Sequence, residues 1–594
     1  MTIKIYEISI QNYRSLENVL LTLNTANVLI GKNNSGKTSV LNAIDLALSF
    51  RTVNKEDIFV SPTKSFDINR SITIDVKIVP MDANGECKDF SDLWTLALGD
   101  SISSEIDRDS QYFAFRTIIK YDKDREMYVN KKSVIIQWDK SGNHKIGKNL
   151  NRQTLEQIPG ILLDAYRDIS LDLNNRKSIW GQLVSRIDID GDKKQNIEDQ
   201  LKLINSQIVS DSMILQRIQN ELKSATADIE SNVEITPVNK DLASLYRGMN
   251  IYYSSSQTLP TQVENLGLGI RSWAVFSVMK ARIQEIQTEK AGMAFHSILL
   301  IEEPESHVHP QAQRHLIKSI LNMPFQKTIT THSPYIVSQI DLKDISIVRK
   351  VGSSSEIIQL NKCGFSDEEI DKIRRSVFNT RGEILFANCV ILVEGETEEQ
   401  ALFKFFRKHF KMDPFEMGVS IIGVGGCSYY KPFVSILEKL GISWFIASDG
   451  EVSAISDIES CMKAVKGLAQ KQPISTYSNI FVLDNQNCFE TYLIQEGYTV
   501  QITNAIDKYE GENDYLGGYI KSLDNQMCKG GKVRAYTGDT DGGRERALRD
   551  LLLSSKVKYA AIIAEEITQI PDDSKTVPEL YKRLYAAVES ELGR

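Results

Sequence analysis

Apolar and polar residues alternate from the first positions of the chain, and the period changes further along. "TIKIYEISIQNY" alternates like a strand, as do "RSITIDVKIV", "YFAFRTIIKYD" and "KSVIIQWD", so residues 66–140 predict a β subdomain. Over 195–230 the period becomes helical. Ile197, Leu201, Ile204, Ile208, Leu215, Ile218 and Leu222 fall at steps of three, four or seven, a heptad seam with a polar break near Asp211. Such a seam packs on its own domain or serves as a dimerisation arm. A third pattern is a short, wholly apolar run that ends in acids: "SILLIEEPESHVHP", "VILVEGETEEQ", "ISWFIASDGEVSAI" and "NIFVLDNQNCFETYLI". Runs of this kind predict buried strands of an α/β fold.

Chemistry enters with "NVLIGKNNSGKTSVLNAIDLAL", where Gly31 to Thr38 spell G-x-x-x-x-G-K-T between a strand-like and a helical segment. The loop amides of Gly31, Asn33, Asn34, Ser35 and Gly36, with the following helix N-terminus, form a phosphate cradle. Lys37 is placed to neutralise the β- and γ-phosphates of ATP, and Thr38 to ligate Mg²⁺. The "LLIEE" run supplies Glu302 on the metal side and Glu303 as a general base, and "KTITTHSP" supplies His332 to sense the γ-phosphate. His307 and His309 read as part of the turn and helix after that strand rather than as zinc ligands. Lys37 and Glu302 stand 265 residues apart, more than a compact P-loop domain needs, so the chain carries an insertion.

The acid-ended runs of the second half raise a different question. Glu394, then Asp449 and Glu451 at i, i+2, then Glu490 each follow an apolar run. On an extended chain i and i+2 share a face, and parallel strands gather their C-termini at one edge, where ligands bind. So many like charges are unfavourable without a counter-ion, and oxygen ligands point to Mg²⁺ or Mn²⁺. Two such ions suit phosphodiester cleavage. In "CKGGKVRAYTGDTDGG" the pair Asp539 and Asp541 has no apolar run before it and is discounted as a ligand set; the basic loop is either a DNA contact or solvated.

Composition narrows the class without choosing the function. The 594 residues exceed one hydrophobic core, and 42% hydrophobic and 25% charged residues describe a water-soluble globular chain. No apolar window approaches a membrane span, no signal-peptide pattern opens the chain, and the seven cysteines form no C-x-x-C pair. The expected compartment is the cytoplasm, with no membrane partner. A net charge of −8 excludes indiscriminate coating of nucleic acid, while leaving room for local DNA contacts.

The order P-loop, "ENLGLGIRSW", "LLIEE", His332 resembles the ATP-binding cassette superfamily, in its DNA-repair branch. That resemblance implies a glycine signature, Gly267 and Gly269, that closes over ATP bound to a second subunit, hence a homodimer or higher homo-oligomer. Leu268 departs from the small hydroxyl residue often found there. Glu394, the turn at Gly423, Gly425 and Gly426, and Asp449 with Glu451 resemble the TOPRIM domain, with D-x-E in place of D-x-D. The two together resemble the OLD (overcoming lysogenization defect) family of nucleases, with relatives in the Gabija anti-phage system and among retrons. This resemblance implies metal binding by Glu394, Glu398, Asp449, Glu451 and Glu490, a phosphate-contacting lysine at Lys556, with Lys558 as the alternative, and a role in defence. It leaves open a helicase-like or reverse-transcriptase partner, and whether ATP activates or inhibits cleavage.

The expected architecture is an α/β chain. It comprises an ABC-type ATPase domain (1–155) with an inserted β subdomain, a helical dimerisation insertion (156–240), the second part of the ATPase (241–380), and a C-terminal TOPRIM domain (381–594) with a parallel sheet. The competing reading is a DNA-repair or SMC-like ATPase scaffold whose TOPRIM domain is structural or binds a partner.

Overall fold

The computed structural model describes residues 2–61, 67–82, 85–105, 109–164, 191–216, 252–253, 261–262, 265, 267–484, 486–527, 533–536 and 542–593. They fall into two units, Met1–Asn27 with Thr38–Thr331, and Val28–Lys37 with His332–Arg594.

In the first unit the alternating segments form one antiparallel sheet. Its order is Leu16–Thr22, Thr2–Tyr13, Ile72–Asp82, Ser110–Asp122, Met127–Gln137, Lys145–Asn149. The β segments expected over 66–140 are therefore strands, but they do not stand alone. Thr2–Tyr13 pairs with both Leu16–Thr22 and Ile72–Asp82 and belongs to the same sheet. Its register shifts between Ile5 and Glu7, and the buried set moves accordingly from Ile3 and Ile5 to Ile8 and Ile10. One extra residue reverses which face an alternating strand buries.

The sheet is fixed to the helix Lys37–Leu48 by one buried lysine. Lys132 Nζ donates to Leu46 O (3.0 Å), Ala47 O (2.7 Å) and Thr117 Oγ1 (2.9 Å). The last carbonyls of a helix lack intrahelical donors, and this lysine supplies one. The same unit holds three parallel strands, Gly160–Leu163, Ile298–Glu302 and Gln326–Thr331. The helix Gly191–Asp211 stops at the expected break, with residues 213–216 helical beyond it. Leu201 is buried, whereas Ile204 and Ile208 face solvent. Ile218 and Leu222 lie outside the described residues.

In the second unit, residues 28–30 pair in parallel with Ile345–Val351, itself antiparallel to Ser354–Gln359. A four-stranded parallel sheet follows, in the order Val419–Gly423, Cys389–Val393, Ser443–Ser448, Ile480–Val482. All five residues of the Cys389–Val393 strand are buried, as an interior strand covered on both faces requires. Glu396–Phe410 follows that strand, and later helices including Lys556–Thr568 and Glu579–Glu591 close over one apolar core. Phe405, Phe406, Tyr581 and Tyr585 belong to it, with the Tyr585 hydroxyl donating to Leu402 O at 2.9 Å. Among the described residues no helix is long and apolar enough to cross a membrane.

Candidate active site

The nucleotide loop is closed on itself. Lys37 is buried and its Nζ donates to the carbonyls of Gly31 (3.0 Å) and Lys32 (2.9 Å), while Asn34 takes a left-handed conformation at φ 62°. Ser355 Oγ donates to Ser35 O at 2.7 Å, which ties the loop to the strand Ser354–Gln359. Lys32 reaches the other way and donates to Asn388 Oδ1, one residue before the strand Cys389–Val393. His332, at the end of its own strand, has its pKa lowered to about 4 by burial and by the charge of Lys37, so its imidazole is neutral at physiological pH. Its ring lies 6.2 Å from that of Phe386, in the segment that leads to Asn388.

In the first unit Thr38 Oγ1 donates to Glu302 Oε1, the two groups expected to share a metal. Glu303 turns away from the strand in a left-handed conformation, φ 40°, with its amide donating to Thr330 O at 3.0 Å. His309 caps the helix Pro310–Leu321, accepting from Gln311 N at 3.4 Å, the turn-and-helix role expected for this histidine. Gly267 caps the helix Leu268–Glu289, and a side chain at Gly269 would come within 3.0 Å of His307 O.

The acids of the second unit are drawn together by three turns at the C-terminal ends of the parallel strands. Glu394 follows Cys389–Val393, and its carbonyl accepts from the amides of Gly425 (3.0 Å) and Gly426 (2.8 Å). Glu398 lies in the first turn of Glu396–Phe410, and its carboxylate accepts from Gly395 N at 2.9 Å. Burial raises the pKa of Glu398, and the negative charges of Glu490 and Glu394 raise it further against that hydrogen bond. Asp449 follows Ser443–Ser448, is 6% exposed, and accepts from Phe489 N at 3.0 Å. Gly450 makes this possible. Its amide donates to Asn487 O at 2.8 Å, and a Cβ there would lie 1.9 Å from Leu483 O. Only glycine allows that approach of the two turns.

Glu490 sits in the first turn of Phe489–Gln495 and is 4% exposed. Its charge and its contact with the Cys488 thiol add to burial in raising the pKa of that thiol, a weak donor, and no stronger donor among the described residues reaches either Glu490 oxygen in hydrogen-bonding geometry. A buried carboxylate with so weak a donor is costly. Beside the strained Glu398 it makes the donor set one that fits a hard divalent cation. Among the described residues no three acidic, histidine or cysteine side chains stand close enough to cage an ion as they are, so binding requires side-chain rotation.

Asp449 and Glu451 do not share one face of a strand. The strand ends at Ser448, Asp449 is buried, and Glu451 is an exposed N-cap of the helix Val452–Lys466. The turn at Gly450 separates the two acids, one buried and one exposed.

Lys556 opens the helix Lys556–Thr568, whose Ala560 and Ala564 are buried. That helix packs along Glu396–Phe410: Lys404 pairs with Glu565 at 3.1 Å, and Ala561 shares a cleft with Glu396, Gln400 and Phe403. These contacts pack the helix that Lys556 opens against the helix that carries Glu398. Lys558 is engaged elsewhere, donating to Glu510 at 2.6 Å with its ammonium over the rings of Tyr509 and Tyr559. Asp539 and Asp541 lie outside the described residues, as do the side chains of Leu268 and Lys556.

With this arrangement in view, comparison with known proteins gives two domain matches. Residues 3–337 match the model of the AAA ATPase domain, and residues 385–450 that of the overcoming lysogenization defect protein-like TOPRIM domain. The chain belongs to the AAA ATPase family and carries an OLD-like TOPRIM domain. It is 26% identical over 478 residues to the OLD nuclease of Thermus scotoductus, covering 76% of this chain and 82% of that one. It is 24% identical over 469 residues to the endonuclease GajA of Bacillus cereus, covering 76% and 75% respectively. Among solved structures, the C-terminal region of the Xanthomonas campestris pv. campestris OLD protein aligns at 18% identity and a TM-score of 0.27, covering 36% of this chain and 96% of that one. The OLD-like match holds Glu394, Glu398, the glycine turn and Asp449; Glu451, Glu490 and Lys556 lie beyond it. Two residues on the approach to this site, Arg381 and Asn388, belong to no sequence pattern, and nothing in the periodicity points to them.

Proposed function

We propose that this chain is a divalent-metal-dependent DNA endonuclease whose activity ATP regulates, acting in defence against phage. The observation that carries the reading is Glu490, buried among the like charges of Glu394, Glu398 and Asp449 at the C-terminal edge of a parallel sheet, with no cationic side chain among the described residues bonded to it. Glu394, Glu398, Asp449 and Glu490, joined by the exposed Glu451, would hold one or two Mg²⁺ or Mn²⁺ ions. A divalent cation bound there supplies positive charge that offsets the charge developing on a cleaved phosphodiester. Lys556, at the neighbouring helix start, would lend the same phosphate a cation from the protein itself. The homology to a nuclease and an endonuclease over three quarters of the chain supports the reaction class.

The ATP half follows the same logic. Lys37 would leave the carbonyls of Gly31 and Lys32 for the nucleotide phosphates, and Thr38 with Glu302 would hold its Mg²⁺. Glu303 would take the proton of the attacking water, and neutral His332 would sense the γ-phosphate through a hydrogen bond. A second copy would bring Gly267 and Gly269 over the nucleotide. The contact from Lys32 to Asn388 supports a coupling of the loop to the acidic strand.

The test is cleavage of supercoiled plasmid by the purified chain with Mg²⁺ or Mn²⁺, with and without ATP. Glu394→Ala should abolish cleavage, and Lys37→Ala should change only the response to ATP. A wild-type protein as inert as Glu394→Ala on every substrate and metal, yet active in ATP hydrolysis, would put the ATPase-scaffold reading in its place.

A further inference from the structure

Arg381 carries no motif and lies between the two matched domains, in the segment that follows the π-helical turn Arg374–Phe378. Its Nη2 donates to Glu399 Oε2 at 3.0 Å, and the same oxygen accepts from Gly423 N at 2.9 Å. Gly423 ends the strand Val419–Gly423 and starts the turn whose next glycine amides, those of Gly425 and Gly426, hold the carbonyl of Glu394. The fit is tight: a Cβ on Gly423 would lie 2.8 Å from Glu399 Oε2 and 2.9 Å from Gly395 O. A chain of contacts thus runs from Arg381 to Glu399, to the glycine turn, and to the backbone of Glu394. Glu399 follows Glu398 directly, so the clamp also bears on the second acid of the cluster.

We propose that Arg381 is a positioning residue of the metal site. Its ion pair fixes the Glu399 carboxylate, and that carboxylate holds the glycine turn against Glu394 so that the acids converge at one spacing. A half-exposed ion pair contributes little to folding stability. Its effect falls instead on the geometry of ligands that must hold an ion, where loss of an outer contact typically costs 10–100-fold in metal affinity or activity. The inference rests on the nuclease reading for its activity arm, and on metal binding alone for the other.

The test is calorimetric titration of the metal-free full chain with Mn²⁺, beside plasmid cleavage as a function of Mn²⁺. Arg381→Ala should weaken Mn²⁺ binding roughly 10-fold or more. It should also move the half-saturating Mn²⁺ for cleavage by more than it lowers the rate at saturation. Arg381→Lys should recover most of the loss, which a merely structural role would not give. Glu399→Gln keeps an acceptor for Gly423 N but removes the charge that Arg381 pairs with, and should behave as Arg381→Ala does if the latter fails to fold. Wild-type Mn²⁺ affinity in Arg381→Ala, or in Glu399→Gln, overturns the proposal. A wild-type chain that binds Mn²⁺ without cutting DNA, and loses that binding in Arg381→Ala, keeps the clamp and removes the nuclease reading. A wild-type chain that takes no Mn²⁺ overturns both.

Discussion

Glu490 is where burial and charge conflict most openly. Its carboxylate is 4% exposed, has only the weak Cys488 thiol as a donor among the described residues, and acts on Glu398 as a like charge. Replacing it by glutamine removes the repulsion and the ligand together. Without metal, Glu490→Gln should unfold about 1–2 °C higher than wild type. With Mn²⁺ added, wild type should gain thermal stability and the variant should not, as thermal melts with and without the ion would read. His296 gives a residue-scale prediction in pH. Burial lowers its pKa from 6.5 to about 4, and its Nε2 accepts from Gln326 N at 3.3 Å, so the folded state holds it neutral. Between these values the unfolded chain binds the extra proton, so its contribution is complete above pH 6.5 and is lost as pH falls through 4. The full difference is about 3 kcal/mol. His296→Gln retains an acceptor and cannot titrate, so denaturant melts should show it losing less stability than wild type from pH 7 to 4.5.

At the scale of elements, the strands were the most legible part of the chain. Four apolar residues in a row followed by an acid can satisfy little else than a buried strand ending at a sheet edge, and Ile298–Glu302 and Cys389–Val393 are such strands. The N-terminal strand was legible as alternation, but that it shares a sheet with the later β segments was not, because pairing partners leave no mark in local periodicity. The D-x-E spacing misled for a related reason. It takes the strand to continue, whereas Gly450, a turn residue within the motif, ends it and puts Asp449 inside and Glu451 outside. Arg381, Lys32 and Lys132 act through contacts far away in sequence, and a lone basic residue carries no signal of its partner. Asn388 offers an element-scale test of the coupling. Asn388→Ala removes the acceptor that ties Lys32 to the root of the acidic strand, leaving every P-loop residue in place. Affinity for a fluorescent ATP analogue should stay as in wild type while the effect of ATP on plasmid cleavage shrinks. An undiminished ATP effect would show that the signal takes another route.

For the whole molecule, a net charge of −8 means that DNA would be held by local cations and metal ions rather than by the overall field. It also joins two chemistries on one polypeptide, and the acidic one is assembled from distant parts. The helix that starts with Lys556 lies along the helix that starts at Glu396, with Lys404 against Glu565. That pairing has a meaning in time. At ribosomal rates of roughly 5–20 residues per second, about 10–30 s separate synthesis of the first acid from that of the helix which brings the lysine. Over that interval the nascent chain gains its acids one after another, and the cation proposed to act on the phosphate comes after all of them. A nuclease arranged this way would acquire the proposed phosphate-contacting lysine only after every acid of its site had been made.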